Sequence, residues 1–177
     1  TDTDGFRVSP VMTASIPLHI LCAKIFATDI LIRVLFENGD EDLAIKLLTN
    51  NGDQGYEHWR VNGATTFHEY WDSNRSRSHS HPMFGAPVAY FFQYLLGINQ
   101  AETDGGYNSI IIEPKGFKNF EFMNGSMETP NGDVAVSYEN KEGKTYFEFI
   151  IPEGVKAVFK NSDNIISLNS GKNYVEI

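Results

Sequence analysis

Apolar residues along the first half of the chain recur at helical spacing, and along the second half they alternate. Between Ser15 and about Gly97 the helical period is clearest in Ile25, Ile30, Leu31, Val34 and Leu35, and again in Leu43, Ala44, Leu47 and Leu48. Asn38-Gly39-Asp40 separates these two helices. Gly39 suits a helix C-terminus, Asp40 a cap for the next start, and Glu41 and Asp42 its first turn. Residues 50 to 82 read as a long polar and aromatic connection with room for one short helix around Thr66 to Trp71. The run from Val88 to Leu96 reads as a buried helix, with Gly97 just past its end. Beyond Asn99 the period becomes two. Strands are expected at Ile110 to Ile112, Phe117 to Met123, Val134 to Tyr138, Tyr146 to Ile151, Val155 to Phe159 and Tyr174 to Ile177. Asn131-Gly132, Glu142-Gly143 and Ser170-Gly171 supply turns, so an antiparallel sandwich is the natural closure.

This pattern predicts an α+β chain of two segments, residues 1–99 helical and residues 100–177 a β-sandwich, joined through Gln100 to Gly106. About three helices and a long loop make a poor independent core, because a helix hairpin needs partners over its apolar faces. The chain reads as the end of something larger.

A length of 177 residues allows a real core without staples. The single cysteine, Cys22, lies in the apolar run Ile20-Leu21-Cys22-Ala23, as a buried small hydrophobe would, and an intrachain disulfide is excluded. A net charge of −9 argues against nucleic acid, which needs a clustered basic surface. The stretch from Ile16 to Leu35 is interrupted by His19, Lys24, Asp29 and Arg33, so a buried helix is expected and not a membrane span. The residues give no compartment.

The chemistry concentrates between Tyr56 and Gly85. Glu69 follows a glycine-threonine loop between His68 and Tyr70, with Trp59 and Trp71 nearby in sequence. A carboxylate among aromatic rings can activate water beside a sugar, whose apolar C–H face stacks on such rings. A surface glutamate in an aromatic loop that merely packs is the plainer reading of the same residues. His81, just before Pro82, either hydrogen-bonds a sugar hydroxyl or serves structure. His79 and His81 lack further ligands at zinc spacing, and Asp2-Thr3-Asp4-Gly5 and Asn51-Gly52-Asp53 lack the terminal glutamate of a calcium loop, so no metal is expected. No G-x-S-x-G and no phosphate cradle occurs, and no cofactor is implied. Asn74-Arg75-Ser76 and Asn124-Gly125-Ser126 match the glycosylation sequon.

Gly63-Ala64-Thr65-Thr66-Phe67-His68-Glu69-Tyr70-Trp71, followed by Ser78-x-x-His81-x-x-Phe84-Gly85, resembles the end of the catalytic domain of bacterial α-L-rhamnosidases, the inverting glycoside hydrolases of family 78. Upstream, Phe26-Ala27-Thr28, Leu31, Leu35-x-x-Asn38-Gly39 and Asp42-Leu43-Ala44 resemble the preceding helix pair. Downstream, Tyr107 to Pro114, Glu128-Thr129-Pro130-x-Gly132 and Ile151-Pro152-x-Gly154 resemble the family's C-terminal β-sandwich. The resemblance implies the last helices of an (α/α)6 toroid followed by that sandwich. It implies Glu69 as the general base of the W-E-x-W signature and His81, Trp71, Trp59, Tyr56 and His68 around the sugar. The partners it implies are a rhamnose-containing glycan and the rest of the toroid. His68 stands where the family usually has tryptophan, and Ser80 where asparagine is common. The general acid lies far upstream in the family, and nothing here matches it, so this chain alone is expected to be inactive. Two other readings stay open: a related toroidal hydrolase for another deoxy or uronic sugar, and a noncatalytic carbohydrate-binding or structural module.

Overall fold

The computed structural model describes residues 6–8, 25–101, 105–162 and 164–177. Cys22, the whole of Asp2-Thr3-Asp4-Gly5 and the start of the apolar stretch lie outside them. Contacts divide the chain into two compact units, one running to Tyr90 and one comprising residues 91–177 together with the amino-terminal strand.

That strand, β1 (Phe6–Val8), pairs with the sheet unit described below. The helical unit contains α1 (Ile25–Glu37), α2 (Glu41–Leu48), α3 (Tyr56–Val61) and α4 (Ala86–Tyr90). Ile32, Phe36, Ala44, Ile45, Leu47 and Leu48 are buried along the α1–α2 hairpin. Gly39, at φ +82°, turns the chain between them, and the Asp40 amide donates back to the Leu35 carbonyl at 2.9 Å, closing a glycine C-cap. Asp40 occupies the cap of α2 as expected, yet its side chain makes no capping bond. Its backbone carbonyl accepts from Leu43 and Ala44 at 3.1 Å instead. Tyr90 ties α4 to α1 by donating its hydroxyl proton to Asp29 at 2.5 Å.

The connection from residue 50 to 82 differs from expectation in one place. No helix forms over Thr66 to Trp71, and the short helix lies earlier, at Tyr56–Val61. The reason is where the backbone donors go. The Glu69 amide bonds the Ser78 carbonyl at 3.0 Å and the His81 amide bonds the Phe67 carbonyl at 2.7 Å, so the segment pairs across a loop and not with its own preceding turn.

The sheet unit begins with a π-helical turn over Phe91–Leu95, whose wide geometry places the Leu96 amide on the Phe91 carbonyl at 2.8 Å. Gly97 follows at φ +73°. A Cβ there would lie 2.3 Å from the Glu113 and Pro114 backbone, so only glycine fits. The remaining strands are β2 (Ile98–Gln100), β3 (Ser109–Ile112), β4 (Phe120–Thr129), β5 (Gly132–Lys141), β6 (Lys144–Ile151), β7 (Lys156–Lys160), β8 (Ile165–Leu168) and β9 (Gly171–Glu176). They form a five-stranded sheet in the order β1-β4-β5-β6-β9 and a four-stranded sheet in the order β2-β3-β7-β8. All ladders are antiparallel except β3 with β7, which run parallel because the whole β4–β6 meander intervenes between them. Glu142 and Gly143, both at positive φ, make the two-residue turn between β5 and β6.

Alternation buries one face of each sheet, and the two faces meet. Phe159 of β7 lies 4.9 Å from Phe147 and 5.1 Å from Phe149, ring centre to ring centre, both on β6 in the other sheet. Val134, Val136, Tyr138, Ile110 and Ile112 complete this core. No described helix is long and apolar enough to cross a membrane.

Candidate active site

The loop after α3 is built on aromatic packing. Trp59 is buried, its indole N–H donates to the Trp71 carbonyl at 3.0 Å, and its ring lies 4.9 Å from that of Trp71. Tyr56 meets Trp59, Phe67 and Trp71 edge-on at 5.8, 6.0 and 5.2 Å. The fold thus gathers Tyr56, Trp59 and Trp71, three of the six residues expected at the site, into one cluster that also holds Phe67, Phe84 and Ala64. These rings pack on one another. The Tyr56 hydroxyl and the Trp71 indole N–H are buried without a hydrogen-bond partner among the described residues. Burial, and secondarily the Asp29 carboxylate, raise the Tyr56 phenol well above its ordinary range, so it stays a donor.

Glu69 and His81 sit on the paired backbone around this cluster. Glu69 is half-buried, and its Oε2 accepts the Arg77 backbone N–H at 3.3 Å. The two rungs that pair Phe67 with His81 and Glu69 with Ser78 hold the carboxylate and His81 on neighbouring stretches of one narrow loop. The His81 ring stacks on Phe84 at 4.8 Å with 19° between planes.

His68 takes a separate path. It lines an open cleft of about 790 Å³ together with Trp59, Asn62, Asp72, Ser73 and His79, whereas Glu69 does not line it. Its Nδ1 is 2.8 Å from the Ser73 hydroxyl, and its ring stacks on His79 at 4.3 Å with 15° between planes. His79 Nε2 in turn lies 3.0 Å from the Ser73 carbonyl. The Thr66 hydroxyl donates to the His79 carbonyl and ties the two arms of the loop together. Sequence reasoning did not single out Ser73, whose bond to His68 is made by loop closure, or Asp72, which shares only the lining of the cleft. The Ser78-His79-Ser80-His81 run was the one available signal for His79. No group of three or more His, Cys, Asp or Glu among the described residues is placed to hold a metal.

Burial lowers the His68 pKa below its ordinary 6.5, and the neighbouring His79 lowers it further. The unfolded chain therefore binds more protons than the folded one between that lowered value and 6.5. Stability linked to His68 is complete above this window and is lost as pH falls through it. We expect the helical unit to melt at a lower temperature at about pH 5.5 than at about pH 7.5, with the difference shrinking in His68→Gln. Equal pH sensitivity in the variant would remove His68 as its cause.

Residues 19–95 match the family model of the bacterial alpha-L-rhamnosidase 6 hairpin glycosidase domain, and residues 97–164 that of the bacterial alpha-L-rhamnosidase C-terminal domain. An alpha-L-rhamnosidase of Formosa agariphila is 30% identical over 129 residues, which are 70% of this chain and 14% of that protein. One from Alteromonas sp. (strain LOR) is 28% identical over 141 residues, 75% of this chain and 15% of that protein. The Streptomyces avermitilis alpha-L-rhamnosidase solved with L-rhamnose superposes with a TM-score of 0.77 at 18% identity, over 86% of this chain and 18% of that one. The Aspergillus terreus enzyme gives 0.75 at 20% identity, over 86% of this chain and 19% of that one. The chain spans less than one-fifth of the length of each of these relatives. With one family model ending at residue 95 and the next beginning at residue 97, the chain belongs to the bacterial α-L-rhamnosidase family, of which it carries the end of the six-hairpin glycosidase domain and the C-terminal β-sandwich.

Proposed function

We propose that the complete protein hydrolyses terminal α-L-rhamnosides with inversion, with Glu69 as the general base that activates water and His81, Trp71, Trp59, Tyr56 and His68 around the sugar. The observation that carries this reading is the placement of Glu69. It is a half-buried carboxylate held by the Arg77 amide, on a loop pinned to His81 and backed by the aromatic cluster. In this reading residues 1–99 serve the toroid, apart from β1 and the start of β2, which pair in the sheets, and residues 100–177 form the appended sandwich.

An inverting glycosidase also needs a general acid, with the two carboxyls roughly 6.5–9.5 Å apart to admit the water. The described residues supply a candidate base. The acid, in this reading, comes from other hairpins of the toroid. Surfaces those hairpins would cover are present: Ile30 and Val34 on α1 and Val88 on α4 are exposed, and the Tyr56 and Trp71 donors lack partners among the described residues. The rhamnoside chemistry of the named relatives supports the substrate.

The test is p-nitrophenol release from its α-L-rhamnoside by the full-length parent protein and by the 177-residue chain, with the first-formed sugar anomer read by proton NMR. The parent is expected to turn over and release the β-anomer, and the isolated chain to be inactive. Release of the α-anomer would overturn the inverting assignment. Activity on a β-glucoside but not on the rhamnoside would move the search to other sugars.

A further inference from the structure

The outward face of the five-stranded sheet carries a feature that rhamnoside hydrolysis does not use. The ladder register places Asn124, Ser137, Glu148 and Tyr174 in one row across β4, β5, β6 and β9, and Ser126, Ala135, Ile150 and Lys172 in the next. Small side chains on β4 and β5 leave a trough of about 250 Å³, floored by Ser126, Ala135 and Ser137 and walled by Asn124, Glu148 and Ile150. Beside it stand three large side chains exposed to water on the same face: Tyr174 at 68%, Tyr146 at 42% and Ile150 at 39%. A solvated sheet face ordinarily alternates such residues inward, so two exposed tyrosines on the face that holds the hollow are a binding signature.

The polar groups there are set in place. Lys172 Nζ lies 2.8 Å from Glu148 Oε1, and the ladder sets Glu148 directly opposite Tyr174. Lys172 matches the carboxylate charge locally, so neither an anion nor a cation gains from entering. The Lys172 ammonium also lies over one face of the Tyr174 ring, 5.7 Å from its centre, so what remains on offer is the opposite ring face, a carboxylate with acceptor capacity to spare, an amide and two serine hydroxyls. That combination suits a neutral pyranose, which presents C–H groups on one face and hydroxyls around its rim.

We propose that the trough on the β4–β5–β6–β9 face is a second, noncatalytic binding site for one neutral sugar residue of a polysaccharide, stacked on Tyr174 and hydrogen-bonded by Glu148 and Asn124. The site lies wholly within the sandwich and does not rest on the assignment of Glu69.

The experiment is a backbone-amide NMR titration of the 177-residue chain with methyl α-L-rhamnoside and methyl β-D-glucoside, each to about 50 mM, a range that reaches millimolar binding. D-glucuronate is the charged comparison. Saturable shifts confined to residues 124–126, 135–137, 148–150 and 172–174 are expected with at least one neutral glycoside. Affinity should fall at least about tenfold in Tyr174→Ala, be retained in large part in Tyr174→Phe, which keeps the ring, and weaken in Glu148→Gln. Tyr174 is exposed, so its removal leaves the fold intact, and the unperturbed amides report this in the same spectra. Absence of shifts on this face, shifts unchanged in Tyr174→Ala, or a preference for glucuronate would each overturn the proposal. Shifts that follow protein concentration without sugar would overturn it in favour of a second copy of the chain.

Discussion

Glu69→Gln in the full-length parent protein is expected to lower kcat on the p-nitrophenyl α-L-rhamnoside by about 10²–10⁴-fold, the range general-base catalysis supplies, with a smaller change in KM. The substitution conserves shape. Glutamine still offers an oxygen to the Arg77 N–H, and neither Trp59 nor the two backbone rungs across the loop depends on the side chain at 69. What is lost is the capacity to take a proton from water as it attacks the anomeric carbon. Because the loop is held by backbone bonds, the melting temperature should stay within about 2 °C of wild type, as a surface substitution worth under about 0.5 kcal/mol requires. Unchanged turnover in a folded variant would remove Glu69 from the reaction. A variant that loses both turnover and stability would point to a structural carboxylate instead.

The second large effect concerns the sandwich core. Phe159→Ala should destabilise the sheet unit by about 3–5 kcal/mol, because Phe159 is fully buried and joins the two sheets through Phe147 and Phe149. Against a typical total of about 5–15 kcal/mol this is a large fraction. Urea unfolding of the 177-residue chain, read by circular dichroism in the β-sheet region, should show a lower midpoint with an unchanged slope. A loss below about 1 kcal/mol would mean that the sheets close over the missing ring with little cavity, contrary to the packing seen.

The site was unevenly legible in the sequence for a physical reason. The aromatic residues between Tyr56 and Trp71 are too apolar to leave in water, so their clustering was legible, and Tyr56, Trp59 and Trp71 do meet. The short helix expected over Thr66 to Trp71 was misplaced because this stretch contains neither Pro nor internal Gly to forbid it. Only the long-range bonds to Ser78 and His81 settle its conformation. The same closure brings His68 to Ser73 and His79, a contact between residues whose separations of five and eleven positions carry no local signal.

The alternation of apolar and polar residues determined by itself which face of β5 and β6 would be buried, because a period of two leaves no other solution for a half-buried strand. Helical spacing did the same for α2, whose Ala44, Leu47 and Leu48 are buried, but not for α1, where Ile30 and Val34 of the expected stripe are exposed and Ile32 and Phe36 are buried beside Leu35. The Asn38-Gly39 and Glu142-Gly143 pairs located turns through backbone conformations that few residues adopt. Tertiary structure alone decided that β1 would pair with β4, that β3 would run parallel to β7, and that Asn124, Ser137, Glu148 and Tyr174 would share one row. Each of these depends on which strand lies beside which and in what register, and that is set by the packing of two faces against each other, which no single stretch of sequence contains.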